Sequence, residues 1–120
     1  MNEYLFVDTD IVLDLLARRK PFYDAAAHLF TLAETGTIDL AVSSLTFANL
    51  FYILRKQVSG KHALDVLSNF KQLVKVLPVD DAVIDHVLHT GFLDFEDAIQ
   101  YHTALNADCS TLLTRNGRHY

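Results

Sequence analysis

Four apolar residues running into an aspartate, Tyr4-Leu5-Phe6-Val7-Asp8, constrain this chain more than any other feature of its 120 residues. A continuous apolar run of that length suits a strand buried on both faces, as in a parallel sheet covered by helices. A carboxylate at the mouth of such a strand must be solvated by a cleft or offset by a cation. The fold is thereby asked to cover a sheet on both sides and to leave its carboxyl edge open.

The rest of the chain supplies strands and covering helices in alternation. Asp10 reads as an N-cap for a helix with Ile11, Leu15 and Leu16 on its apolar face, closed by the cations Arg18-Arg19-Lys20 near its negative end. Pro21 starts a second helix, striped by Phe22, Ala26, Leu29, Phe30 and Ala33 and stopped by Gly36. Ile38 to Ser43 alternates like a strand, and Ser44 caps a helix bearing Phe47, Leu50, Phe51 and Leu54 that ends near Gly60. Lys61 to Lys75 predicts another amphipathic helix, followed by a short strand, Val76 to Val79, which Pro78 limits to an end or an edge. Asp80 caps a helix through Val83, Ile84, Val87 and Leu88 that Gly91 ends. Asp94 to Asn106 forms the last helix, with Ala98, Ile99, His102 and Leu105 inward, and Ser110 to Thr114 is a final buried strand. This rhythm predicts one α/β domain over residues 1–120, its central sheet mostly parallel and covered on both faces.

Composition narrows the function. The opening residues have no basic leader, and the longest uncharged stretch, Leu40 to Leu54, is broken by Ser43, Ser44, Thr46 and Asn49, so the expectation is a cytoplasmic protein with no membrane partner. A lone cysteine, Cys109, excludes an internal disulfide framework and a multi-cysteine zinc site, and is expected to pack beside the last strand. The net charge of −5 argues against a broad basic surface for long duplexes, yet clustered carboxylates can seat a divalent metal. His86 and His89 share a face without an acid–histidine signature and read as surface residues, and no glycine-rich phosphate loop is present.

In parallel α/β sheets function gathers outside the carboxyl ends of the strands. Asp8, Asn49, Asp97 and Asn116 all fall just after, or within a turn or two of, those ends. Asp94 and Asp97, three residues apart, project on one side of the last helix's first turn. Asp94 also reads as an N-cap, and Glu96 and Asp97 suit the positive start of a helix. Should Asp8 meet Asp94 and Asp97 across adjacent strands, their repulsion calls for a hard divalent ion, Mg²⁺ or Mn²⁺. Such an ion activates water for attack on phosphorus, so phosphodiester hydrolysis is the expected chemistry.

Three segments carry a family likeness. Phe6-Val7-Asp8-Thr9-Asp10-Ile11-Val12-Leu13-Asp14-Leu15-Leu16 resembles the opening of a PIN domain, Asp94-Phe95-Glu96-Asp97-Ala98-Ile99 resembles its Asp-x-x-Asp-Ala segment, and Leu112-Leu113-Thr114-Arg115-Asn116 resembles its closing Thr-Arg-Asn/Asp turn. In order and spacing the likeness covers essentially the whole chain and is strongest toward the VapC-like toxins of bacterial toxin–antitoxin pairs. It implies a three-layer α/β/α PIN-like domain, here without the family's usual final strand, and a Mg²⁺- or Mn²⁺-dependent endoribonuclease. Asp8, Asp94 and Asp97 are the matching catalytic and metal-binding acids, with Asp10, Asn49 and Asn116 as supporting or weak ligands. It further implies RNA as substrate, single-stranded or looped, an antitoxin whose peptide enters the acidic cleft, and a homodimer.

Two positions depart from the family. Asn49 stands where a glutamate is common and Asn116 where many relatives have aspartate, so the site is lean in acid and metal affinity is expected to be weaker. The alternative is a degenerate PIN domain that binds RNA or a protein without cutting. Asp8-Thr9-Asp10 also resembles the nucleophile turn of haloacid-dehalogenase-like phosphatases, but the lysine and late aspartate pair of that family find no good counterpart. Arg115 and Arg118 lie beside the expected site and suit phosphate contacts, as do Arg18-Arg19-Lys20 and Arg55-Lys56 less strongly. Tyr52 or Tyr101 could stack an unpaired base, although a tyrosine at helical spacing more often packs.

Overall fold

In the computed structural model, which describes residues 4–90, 94–109 and 111–114, the pleat of the strands sorts the core into two layers. β1 (Tyr4–Val7) sends Leu5 and Val7 to one face of the sheet and Tyr4 and Phe6 to the other. β2 (Asp39–Ser43) divides Leu40 and Val42 from Ala41 in the same way. With β3 (Val74–Leu77) and β4 (Thr111–Leu113) they form a four-stranded sheet in the order β3-β2-β1-β4. All three pairings are parallel, with Phe6 opposite both Ala41 and Leu112.

Helices cover both faces, as the continuous apolar strands require. α1 (Thr9–Leu16), α2 (Tyr23–Glu34), α3 (Ser44–Leu54) and α4 (Gly60–Lys71) bring Val12, Phe30, Leu50 and Phe70 onto Val7, Leu40 and Val42. Phe30 meets Phe70 edge-on at 5.6 Å between ring centroids, the geometry aromatic quadrupoles favour. On the other face α6 (Phe95–Asn106) lays Ala104 against Phe6 and Ala41, and α5 (Asp81–Thr90) packs on α6 through Val83, Val87, Ala98 and Ile99. Cys109 packs beside Leu112 of the last strand, as expected. No helix among the described residues is long and apolar enough to cross a membrane.

Several boundaries differ from the sequence reading, each for an identifiable reason. Asp8, not Asp10, holds the N-cap position of α1. α1 stops at Leu16, before the basic triplet, and Arg18 at φ 51° swings the chain back so that Arg19 folds along the helix it has just left. Pro21 precedes the second helix, with Phe22 at its N-cap position. Ser43 rather than Ser44 caps α3, accepting the Thr46 N–H at 3.2 Å, while the Ser44 hydroxyl accepts the Val79 N–H at 3.1 Å. Gly60 opens α4 instead of closing α3, because Ser59 accepts the His62 N–H and makes a new cap there. Residues 74–77 join the sheet because Leu40 to Ser43 offer a ladder that local helix propensity cannot match. Pro78 falls just beyond that edge strand. Asp80 caps α5 through the Val83 N–H, and Gly36 at φ +81° follows α2, both as expected. In α6 the buried arc runs through Ala98, Ile99, Gln100, Thr103 and Ala104, which leaves Leu105 exposed and His102 half-buried against His86. The expected stop at Gly91 and the strand start at Ser110 lie outside the described residues.

The path of the chain positions the site. From β1 it moves outward through β2 to β3, then returns to the far side of β1 as β4. Where connections leave adjacent strands in opposite directions, a crevice opens outside their carboxyl ends. Leu50 is fully buried in the layer that supports this crevice. Leu50→Ala is expected to cost about 2–5 kcal/mol of stability, read as a lower urea midpoint with an unchanged m-value.

Candidate active site

The carboxyl edge of β1 opens into a cavity of about 340 Å³. Asp8 enters it from the end of β1, Thr9 and Asp10 from the first turn of α1, and Asn49 and Tyr52 from α3. Asp94, Glu96, Asp97 and Gln100 come from the first turns of α6 and its cap. Asp8, Asp94 and Asp97 thus border one space, together with Asp10 and Asn49. Asn116, Arg115 and Arg118, also singled out in the sequence, lie outside the described residues.

Asp8 sits at the N-cap position of α1 but makes no capping bond. Its Oδ2 instead accepts the Thr114 hydroxyl at 2.9 Å, and its backbone N–H reaches Leu113 O at 3.0 Å, extending the β1–β4 ladder by one step. The residue is 7% exposed. Burial pushes its carboxyl above the usual value, opposed by the Thr114 hydroxyl; the charge of Asp10 raises it further, the Thr9 backbone lowers it, and the charge of Asp97 raises it again. That Asp97 is felt at Asp8 means that acids 89 positions apart in the chain share one electrostatic environment.

Asp94 has a structural duty as well. Its Oδ1 caps α6 by accepting the Asp97 N–H at 3.0 Å, so the plain capping role and the place at the cavity belong to the same side chain. The cap also fixes Asp97 three residues on, at the start of a helix whose dipole favours negative charge. Asp10 is engaged by Arg19: the Nη2 donates to its backbone oxygen at 3.1 Å and stands 3.5 Å from Oδ1. The same guanidinium lies with Nε 3.2 Å from Oδ1 of Asp14, a carboxylate 1% exposed. One arginine thus offsets a buried acid and holds a second at the cavity rim.

Below the acids lies a polar network that the sequence reading did not find. The Gln100 amide, 2% exposed, donates through Nε2 to the hydroxyls of Thr9 and Thr46, each at 3.1 Å. Those two hydroxyls lie 3.1 Å apart, and Thr46 continues to Ser43 Oγ at 3.2 Å. The starts of α1, α3 and α6 are thereby tied at one point under the cavity. No helical-period signal marks Gln100, because a buried glutamine looks like a surface residue until its partners are known.

The donors are hard carboxylate and amide oxygens, the chemistry that suits Mg²⁺ or Mn²⁺. Among the described residues no three His, Cys, Asp or Glu side chains are grouped closely enough to hold a metal ion. A ligand set from this cavity would therefore have to draw inward. With like charges close together and Asp8 desolvated, a cation lowers the energy of the ionised acids.

Residues 4–118 match a family described as PIN domain. Ribonuclease VapC1 of Aquifex aeolicus (strain VF5) is 23% identical over 124 residues, spanning 99% of this chain and 85% of that protein. Among solved structures, Mycobacterium tuberculosis VapC20, a sarcin-ricin loop cleaving toxin, gives a TM-score of 0.74 at 14% identity, covering 96% of this chain and 92% of the other. VapBC from Salmonella typhimurium, bound to DNA, gives 0.70 at 21% identity, covering 99% and 90%. At these identities the structural likeness concerns the fold, and it bears out the expected α/β architecture.

The raised carboxyl of Asp8 has a consequence for stability. A group harder to ionise in the folded chain favours folding below the ordinary carboxylate pKa of about 4 and loses that contribution as pH rises through its folded value. Asp8→Asn removes the ionisation and keeps an acceptor for Thr114. In chelator at pH 7 this variant is expected to melt at a higher temperature than the parent, and the gap should close below about pH 4.

Proposed function

Because the chain belongs to the PIN domain family, matched over residues 4–118, we propose that it is a metal-dependent endoribonuclease of the VapC toxin type, hydrolysing phosphodiester bonds in single-stranded or looped RNA. The observation that carries this reading is the meeting of Asp8, Asp94 and Asp97 on one cavity at the carboxyl edge of a parallel sheet. Their carboxylates would hold Mg²⁺ or Mn²⁺, which lowers the pKa of water and offsets charge on phosphate oxygens.

The chain's own groups have distinct tasks in this scheme. Asp8, kept short of solvent and oriented by the Thr114 hydroxyl, is the fixed acid against which the others are placed. Asp97 borders the same cavity and is the candidate to accept a proton from attacking water. Asp94 holds that helix start through its cap and presents its carboxylate to the same space. Asp10, steadied by Arg19, supplies charge at the rim, while Asn49 contributes a neutral oxygen. Asn116 would support the ligand set, and Arg115 and Arg118 would position phosphates. The reading includes a homodimer in the cytoplasm and an antitoxin partner. The last is supported by the toxin–antitoxin complexes among the structural neighbours, one of them from Klebsiella pneumoniae.

A second reading, a PIN domain that binds RNA or a protein without cutting it, is favoured by Asn49, a neutral residue on the acidic cavity. Metal binding separates the two. Mn²⁺ titration of the parent is expected to saturate, to be lost in Asp8→Asn and to tighten in Asn49→Glu, which restores a charge; no saturable binding in the parent favours the second reading. Cleavage of a single-stranded RNA is expected to require Mg²⁺ or Mn²⁺ and to fall by about 100-fold or more in Asp97→Ala. Undiminished cleavage by that variant would overturn the assignment of Asp97.

A further inference from the structure

Tyr52 does not pack: it is 77% exposed on the third helix, at the rim of the acidic cavity. The same ring borders two neighbouring hollows, so it stands where three surface features meet. One hollow, of about 500 Å³, runs between α3 and α4 over Phe47, Phe51 and Leu64, with Lys71 at its edge. The other, of about 530 Å³, is formed by Tyr52 and Phe51 with Arg55 and Lys56. Tyr52 lies in the last turn of α3, and two cations follow that helix directly, Arg55 at its C-cap and Lys56 just beyond. The Arg55 guanidinium lies 5.8 Å from the Phe51 ring centroid, and neither Arg55 nor Lys56 pairs with a carboxylate among the described residues.

This arrangement meets a need that the acidic cavity creates. A polynucleotide entering a space bordered by Asp8, Asp94, Glu96 and Asp97 is repelled along its whole backbone, and a metal at the cavity offsets only the phosphate it touches. Flanking phosphates need cations outside the acidic field, and a base next to the cleaved bond needs an apolar face once it leaves its own stack. Tyr52 supplies such a face at the rim, and Arg55 and Lys56 supply charge one turn beyond. We propose that Tyr52, with Arg55 and Lys56, forms a subsite for single-stranded RNA, in which an unpaired base stacks on the tyrosine and the adjoining phosphate meets the two cations. The inference rests on the ribonuclease reading and adds to it the course of the strand as it leaves the cavity along α3. Stacking is tolerant of base identity, so this subsite selects for unpaired nucleotides rather than for a sequence.

The test uses the full chain carrying Asp97→Asn, to suppress cleavage, and a fluorescein-labelled single-stranded RNA 12-mer with Mg²⁺ present. Anisotropy is expected to show Tyr52→Ala binding about tenfold more weakly, with Tyr52→Phe and Tyr52→Trp close to the Asp97→Asn parent. On an abasic oligonucleotide the difference between tyrosine and alanine should vanish. Arg55→Gln and Lys56→Gln should each flatten the salt dependence of binding. Equal RNA affinity in Tyr52→Ala overturns the proposal and leaves the ribonuclease reading standing if the chain with Asp97 intact still cuts; the rim then belongs to a protein partner. Equal weakening in Tyr52→Phe overturns stacking as the cause, since the hydroxyl would be the group that matters. If the parent neither binds nor cuts RNA, the ribonuclease reading and this subsite fall together.

Discussion

A carboxylate at the end of a doubly covered strand is expensive to desolvate, and the architecture is arranged around that fact. Asp8 accepts the Thr114 hydroxyl from beyond the neighbouring strand, and its own N–H carries the β1–β4 ladder one residue past the strand end. These contacts hold the acid in place without neutralising it, and burial and the neighbouring acids raise the carboxyl's pKa. The sheet can leave its carboxyl edge open there because the chain changes direction at β1, so no crossover runs over that end. Asp8 is thus held by a hydroxyl and a backbone ladder, with burial and neighbouring acids both working against its ionisation.

The acids would not keep their spacing on loops alone. Gln100, in the second turn of α6, ties that helix to the first turns of α1 and α3 through Thr9 and Thr46, and Ser43 joins the same group from the end of β2. A buried amide with two donors in hand fixes distance and angle more narrowly than apolar contact does. The cap from Asp94 to Asp97 orders the first turn of α6 at the cavity by a like means, a side-chain oxygen on a backbone N–H. Polar contacts therefore set the geometry at the rim, while apolar packing beneath them, centred on Val7, Val42 and Leu50, supplies the stability.

The two sides of the rim are chemically unlike. Carboxylates gather at the strand ends and the start of α6, whereas the end of α3 carries Phe51 and Tyr52, with Arg55 and Lys56 directly after it. A chain that is acidic overall thus carries a short basic and aromatic stretch beside its acids, because charge sign is a property of a patch and not of the total.

What could be read from residue order was whatever depends on local pattern. The alternation of apolar strands with striped helices predicts a parallel α/β sheet, and Asp8, Asp94 and Asp97 declare themselves as acids at strand and helix ends. Caps such as Asp80 and the stop at Gly36 are legible for the same reason, since their signals lie within a few residues. Other features need partners distant in the chain. Residues 74–77 become a strand only because β2 offers them a ladder, and Gln100 turns inward only because Thr9 and Thr46, 91 and 54 positions away, accept its protons. Arg19, still partly exposed, reaches the buried Asp14 only because Arg18 reverses the chain. Tyr52 is exposed, not packed, because α4 leaves a hollow beside it. Short-range steric and capping preferences are written residue by residue, whereas the burial of polar groups is decided by which segments the tertiary fold brings into hydrogen-bonding range.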